Sequence, residues 1–182
     1  MKKRSRTMAL CGMMCALGVT VMLMGGVIPL ATFCCPALAG LVLLPVLAET
    51  DRKTTLACYA AISVLSLILC TDKEAALVFA FLGYYPVLKL SIDKIRSRLL
   101  RIAAKVGVFN LAAGLMLLVM NFVLNMQAVM AEYAAMTNAM LIAFVVLANF
   151  TLLLYDRLLV IMFIIYIRKL RPIIQSEGKR RA

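Results

Sequence analysis

Six long apolar stretches, at 7–24, 27–48, 54–70, 75–90, 106–126 and 140–166, take up most of this 182-residue chain. A bilayer core of about 30 Å needs about 20 apolar residues per helical crossing. Backbone polar groups in lipid find no water, so a crossing segment must satisfy them internally, as a helix does. Hydrophobic residues make up 65% of the chain and charged residues 15%, which leaves little to cover a soluble surface. The expected fold is therefore an all-α integral membrane protein. A single six-helix membrane domain covers 1–182, and no segment remains for a soluble catalytic domain.

Lys and Arg alternate between the two sides of these spans. The opening tail carries Lys2, Lys3, Arg4 and Arg6, and the first connection, around Gly25-Gly26, carries none. The second holds Arg52 and Lys53; the third has only Lys73, between Asp72 and Glu74. The fourth, 91–105 with Lys89 just before it, is strongly basic, and the fifth, 127–139, has no Lys or Arg. The tail at 168–182 is basic again. Cytoplasmic loops retain positive charge during insertion, so six crossings with both termini cytoplasmic are expected. The net charge of +12 lies beside span ends. The insertion bias and anionic lipid headgroups account for it there, so the lipid bilayer is the expected partner and nucleic acid is not.

Local signals refine the spans. The first has a basic start but no small-residue cleavage site leading into a polar region, so it reads as a retained helix. Pro29, Pro36 and Pro45 predict a kinked or partly non-helical second span. Gly83-Tyr84-Tyr85-Pro86 interrupts the fourth. Ile92, Ile95, Leu99 and Ile102 recur at helical spacing among Lys94, Arg98, Arg101 and Lys105, which predicts an amphipathic helix over 91–105. No internal repeat stands out.

Four groups of residues invite a functional reading. Ala9, Gly12 and Ala16 line one face of the first span, with Cys11 and Cys15 on a neighbouring face. Small residues let helix backbones approach closely in lipid, either inside this bundle or against another subunit. Tyr84, Tyr85, Asn121, Asn125, Glu132, Tyr133 and Asn138 supply directed hydrogen bonds and aromatic faces, and are candidates for one outward-facing ligand cavity with Pro29 and Pro36 in its wall. Neutral groups dominate that set, which favours a neutral or zwitterionic organic solute. Asp156-Arg157 is the one charged pair within a span; it marks function or a charge satisfied near the inner interface. Cys34, Cys35 and Cys70 are a weak soft-metal candidate in a chain with no His. No metal site and no cofactor are expected. Without His, HExxH, GxSxG or a phosphate-binding Gly-rich Lys-Ser/Thr loop, no catalytic residue is assigned and the chain is not read as an enzyme.

The first-span run Met8-Ala9-Leu10-Cys11-Gly12-Met13-Met14-Cys15-Ala16-Leu17 resembles the Ala-rich first helix of the substrate-binding S components of energy-coupling factor (ECF) vitamin transporters. The stretch from Asn149-Phe150 through Tyr155-Asp156-Arg157 to Arg168-Lys169-Leu170-Arg171-Pro172 is also similar to theirs. That family's Ala-x-x-x-Ala contact stands here as Gly12-x-x-x-Ala16 and Cys11-x-x-x-Cys15. The resemblance implies a six-helix S-component bundle in the cell membrane that takes up a small organic micronutrient from outside. It also implies partners: a transmembrane coupling subunit, docked through the first helix, and ATPase subunits. The alternative is a non-transport scaffold of cell-envelope assembly, similar to the shape-determining MreD proteins.

Overall fold

The computed structural model describes residues 2–25, 32–122 and 135–170, and every regular element among them is helical. In chain order these are α1 (Lys2–Gly25), α2 (Cys34–Glu49), α3 (Arg52–Leu69), α4 (Lys73–Leu82), α5 (Tyr85–Ile92), α6 (Arg98–Phe122) and α7 (Asn138–Ile165). A π-helical turn, Tyr166–Leu170, extends α7 and carries Arg168 and Lys169, where cations complement the helix C-terminus. Five stretches are long and apolar enough to cross a bilayer: Thr7–Gly25, Arg52–Leu69, Lys73–Ile92, Arg98–Phe122 and Asn138–Lys169. Cys34–Glu49 is a shorter apolar helix of 16 residues, about 24 Å at 1.5 Å per residue. Each of the six apolar stretches in the sequence thus has a helix, the fourth being built from α4 and α5 in succession.

By internal packing the chain divides into two compact units, 1–88 with 156–182, and 89–155. In the first unit α1, α2, α3 and α4 pack on one another. Their shared core holds Met22 of α1, Ala39, Leu43 and Val46 of α2, Cys58 and Ile62 of α3, and Ala75, Ala76 and Phe79 of α4. Of the α1 residues that reach it, Cys11, Met14, Cys15, Val19 and Met22 recur at three- and four-residue steps and so form one stripe of a helix, with Val21 at its edge. Gly18 lies in that stripe. A Cβ there would stand 2.7 Å from the tip of Ile62, so the missing side chain permits the close approach of α1 and α3.

The ends of these helices follow from local chemistry. Asp72 caps α4, its Oδ1 accepting from the Ala75 N–H at 3.1 Å, and its Oδ2 accepts from the Thr32 hydroxyl at 2.9 Å. Lys73 turns back to the end of α3, its Nζ donating to the Leu67 carbonyl at 2.8 Å. Thr32, just before α2, therefore stands beside the start of α4. Pro36 stands in the first turn of α2, where its missing N–H costs no intrahelical bond. The expected proline break does not fall within 34–49: the helix runs on through Pro45, near its end. Pro29 lies outside the described residues. The fourth span does break where Gly83-Tyr84 predicts. Gly83 closes α4 with its N–H on the Phe79 carbonyl, and a Cβ there would come within 2.9 Å of the Phe79 ring.

The second unit contains the end of α5, α6 and most of α7. Lys105, Ala112, Met116 and Met120 form the buried stripe of α6. Much of the remaining surface of α6 and α7 is exposed Leu, Ile, Val and Phe, an extent that lipid covers and water does not tolerate. The amphipathic helix expected over 91–105 is corrected here. α5 ends at Ile92, residues 93–97 turn, and α6 begins at Arg98. Three-residue hydrogen bonds from the Lys94 N–H to Ser91 O and from the Ile95 N–H to Ile92 O tighten the chain into the turn. Arg101 then takes the Ile95 carbonyl with two guanidinium nitrogens, at 2.8 and 3.3 Å.

Candidate functional site

The two small-residue faces of α1 part company. Cys11 and Cys15 point into the first unit, where the Cys15 thiol donates to the Cys58 carbonyl at 3.8 Å. Ala9, Gly12 and Ala16 are exposed, and a Cβ built on Gly12 meets nothing within 4 Å. The face is a shallow strip of small side chains flanked by exposed Met8, Met13 and Leu17. Close packing within the unit uses Gly18, which the small-residue pattern did not single out. Gly18 is two positions beyond Ala16, which turns them to different sides of the helix.

The seven ligand candidates also divide. Tyr84, half-buried at the α4–α5 break, stands edge-on to Tyr59 of α3, with ring centroids 6.1 Å apart. Tyr59 in turn packs on Phe79 at 5.7 Å, and its hydroxyl donates to the Ala80 carbonyl. Tyr85 is buried and donates to Asp156 Oδ1 at 2.8 Å. Asn121 and Asn138 are exposed, at the end of α6 and the start of α7. Asn125, Glu132 and Tyr133 lie outside the described residues.

Of the four described candidates, Tyr84 and Tyr85 are engaged within the first unit, and Asn121 and Asn138 are exposed in the second. Asp156 lies 18 residues beyond Asn138 on the same helix, a separation of about 27 Å at 1.5 Å per residue. The candidates that stay together in the chain are the polar residues flanking and within the fifth connection. Tyr84 and Tyr85 belong instead to an aromatic and hydrogen-bonded joint inside the first unit.

Three polar pairings were missed at the sequence level. In the sequence Asp156 pairs with its neighbour Arg157, whereas its hydroxyl partner comes from 71 residues away. Asp93 stands among the basic residues of its connection, and its carboxylate meets Lys105 at 2.8 Å and Lys89 at 3.7 Å. Both lysines are nearly buried, and a buried ammonium is tolerated only beside a compensating group. Asn110 of α6 and Asn149 of α7 exchange side-chain amide hydrogen bonds at 3.0 and 3.3 Å, and each also donates to the carbonyl four residues before it. The signal for that pair was present: two Asn in the middle of otherwise apolar spans, where an amide needs a partner. Among the described residues, no three of His, Cys, Asp and Glu are grouped as a bound metal would require.

The fold and these sites define a class, an all-helical protein with several helices able to span a membrane. Comparison with protein-family models finds no match to this chain, and neither the curated proteins nor the solved structures contain a match.

Proposed function

We propose that the chain is the membrane-embedded substrate-binding subunit of an ECF-type importer. It captures a small organic micronutrient from outside and docks on a shared transmembrane and ATPase module, with both termini cytoplasmic in the cell membrane. The observation that carries the reading is the division of α1. Its inward stripe satisfies the packing of the first unit through Cys11, Cys15, Gly18 and Met22, and the strip of Ala9, Gly12 and Ala16 is left over with open space before it. Lipid gives no hydrophobic drive for association, so a helix partner is held by close backbone contact, and small residues provide it. Ligand capture falls to the polar residues around the fifth connection, Asn121, Asn125, Glu132, Tyr133 and Asn138, on the side that the charge pattern assigns to the exterior. Energy comes from the ATPase subunits, because the chain has no nucleotide-binding loop of its own.

The test separates docking from folding. Gly12→Leu and Ala16→Leu each add bulk where the isolated subunit has room, so helicity and thermal midpoint should stay at wild-type values. Overpacking a close contact costs about 1–3 kcal/mol, so recovery of the transmembrane partner should fall about 5- to 150-fold, at about 1.4 kcal/mol per tenfold. A Gly12→Leu protein that unfolds, or that recovers its partner undiminished, contradicts the reading.

A further inference from the structure

The turn between α5 and α6 is a built corner, and its construction determines which charges remain available. The Asp93 N–H bonds to the Lys89 carbonyl at 2.8 Å, while the Asp93 carboxylate holds Lys105 and Lys89 from two helices. Arg101 closes the turn through the Ile95 carbonyl. These contacts engage the only acidic side chain of the segment and one of its arginines. Lys94, Arg96 and Arg98 are exposed and carry no ion pair among the described residues. Directly after them Leu99 and Leu100, the first residues of α6 after Arg98, are 81% and 62% exposed. The stretches on both sides, Lys73–Ile92 and Arg98–Phe122, are long and apolar enough to cross a bilayer, and a corner joining two crossings falls at a membrane surface.

We propose that this corner is a binding seat for an anionic phospholipid. Lys94, Arg96 and Arg98 contact the phosphate, and Leu99 and Leu100 lie among the adjoining acyl chains. The complementarity is in the order of the residues. Cations come first, in the turn, and apolar side chains follow, on the helix that enters the bilayer. A phospholipid presents phosphate and hydrocarbon in the same order and at the same depth. Inorganic phosphate would use only the cations and leave the two leucines unexplained. An acidic protein surface would likewise use the cations and leave the two exposed leucines unexplained. The proposal does not depend on the transport reading.

Electron paramagnetic resonance on the full chain in phosphatidylcholine bilayers tests it, with spin-labelled phosphatidylglycerol and spin-labelled phosphatidylcholine as probes. The wild type should immobilise phosphatidylglycerol in preference. Lys94→Gln, Arg96→Gln and Arg98→Gln should each reduce that preference about fivefold. Lys94→Arg should retain it, which separates loss of charge from loss of fold. Leu99→Ser with Leu100→Ser should also reduce it, and soluble glycerol phosphate should not displace the lipid. Undiminished preference in the triple Gln variant would overturn the proposal and leave the cations to a protein partner. Displacement by glycerol phosphate, or an equal loss on Arg52→Gln with Lys53→Gln, would overturn it as well, by showing a free-phosphate site or a general charge effect.

Discussion

The Tyr85 hydroxyl anchors the one carboxylate within α7, and Tyr85→Phe removes that hydrogen bond. A bond to a charged acceptor contributes about 1.5–3 kcal/mol. Tyr85→Phe should lower stability by that amount while leaving the ring in place, and combining it with Asp156→Ala should give clearly less than the summed losses. Thermal unfolding of the four proteins of this cycle in one detergent checks it; strict additivity would show that the two groups do not interact. Asp93 is the other residue on which local structure turns. Asp93→Asn keeps the shape and removes the charge that faces Lys89 and Lys105. The loss should be about 1–3 kcal/mol, with protease cleavage increased at residues 93–97. A variant as stable and as resistant as the wild type would contradict the role given to Asp93 in forming the corner. Neither Tyr85–Asp156 nor Asp93–Lys105 was legible beforehand, because each joins positions whose proximity depends on how separate helices pack; Lys89–Asp93, four residues apart, is a pair that helical spacing alone offers.

Among the helices, α1 offers the sharpest contrast. Gly18→Leu forces a side chain onto Ile62, whereas Gly12→Leu meets open space. The first should lose about 1–3 kcal/mol of stability and the second almost none; equal losses would show that the two faces of α1 are not distinguished as described. The sequence disclosed that α1 carries small residues but not which of them face α3, since that depends on the helix's rotation. Cys11 and Cys15 resembled the Gly12–Ala16 pair in spacing and proved to lie in the inward stripe. The Asn110–Asn149 pair is a second inter-element device. Double-mutant cycles on polar pairs between membrane helices give about 0.6 kcal/mol on average and about 1.7 at most. Asn110→Leu and Asn149→Leu should each cost more alone than expected from the double variant, where no amide is left unpaired in lipid. The corner at 93–97 shows the limit of periodicity. Ile92, Ile95, Leu99 and Ile102 keep a helical spacing across a turn, and the break is set by backbone bonds and by Arg101, neither of which alters that spacing.

Over the whole molecule, hydropathy was the most legible property, because membrane insertion is decided by transfer of whole segments and not by individual contacts. The spans at 7–24, 54–70, 106–126 and 140–166 agree with Thr7–Gly25, Arg52–Leu69, Arg98–Phe122 and Asn138–Lys169 to within a few residues at most described ends. The exception is the start of α6, which extends through Arg98–Lys105 because helix geometry continues past the apolar limit. Side-chain pairings were less legible: they depend on how helices pack, and the Tyr85 hydroxyl meets Asp156, 71 residues further along the chain. The charge alternation makes its own prediction. In a chain freed of native cysteines, an impermeant thiol reagent applied from outside should label a cysteine at Ala131 and not one at Ser97, and the reverse would invert the topology. The central claim, that this is a solute-binding subunit docking through α1, is tested most directly by purifying the full chain from native membranes in mild detergent and identifying what accompanies it by mass spectrometry. The account predicts a transmembrane coupling subunit, ATPase subunits and a bound small organic molecule, with the two kinds of subunit lost from the Gly12→Leu protein. Recovery of cell-envelope assembly proteins in their place, with no ATPase and no bound solute, would contradict it.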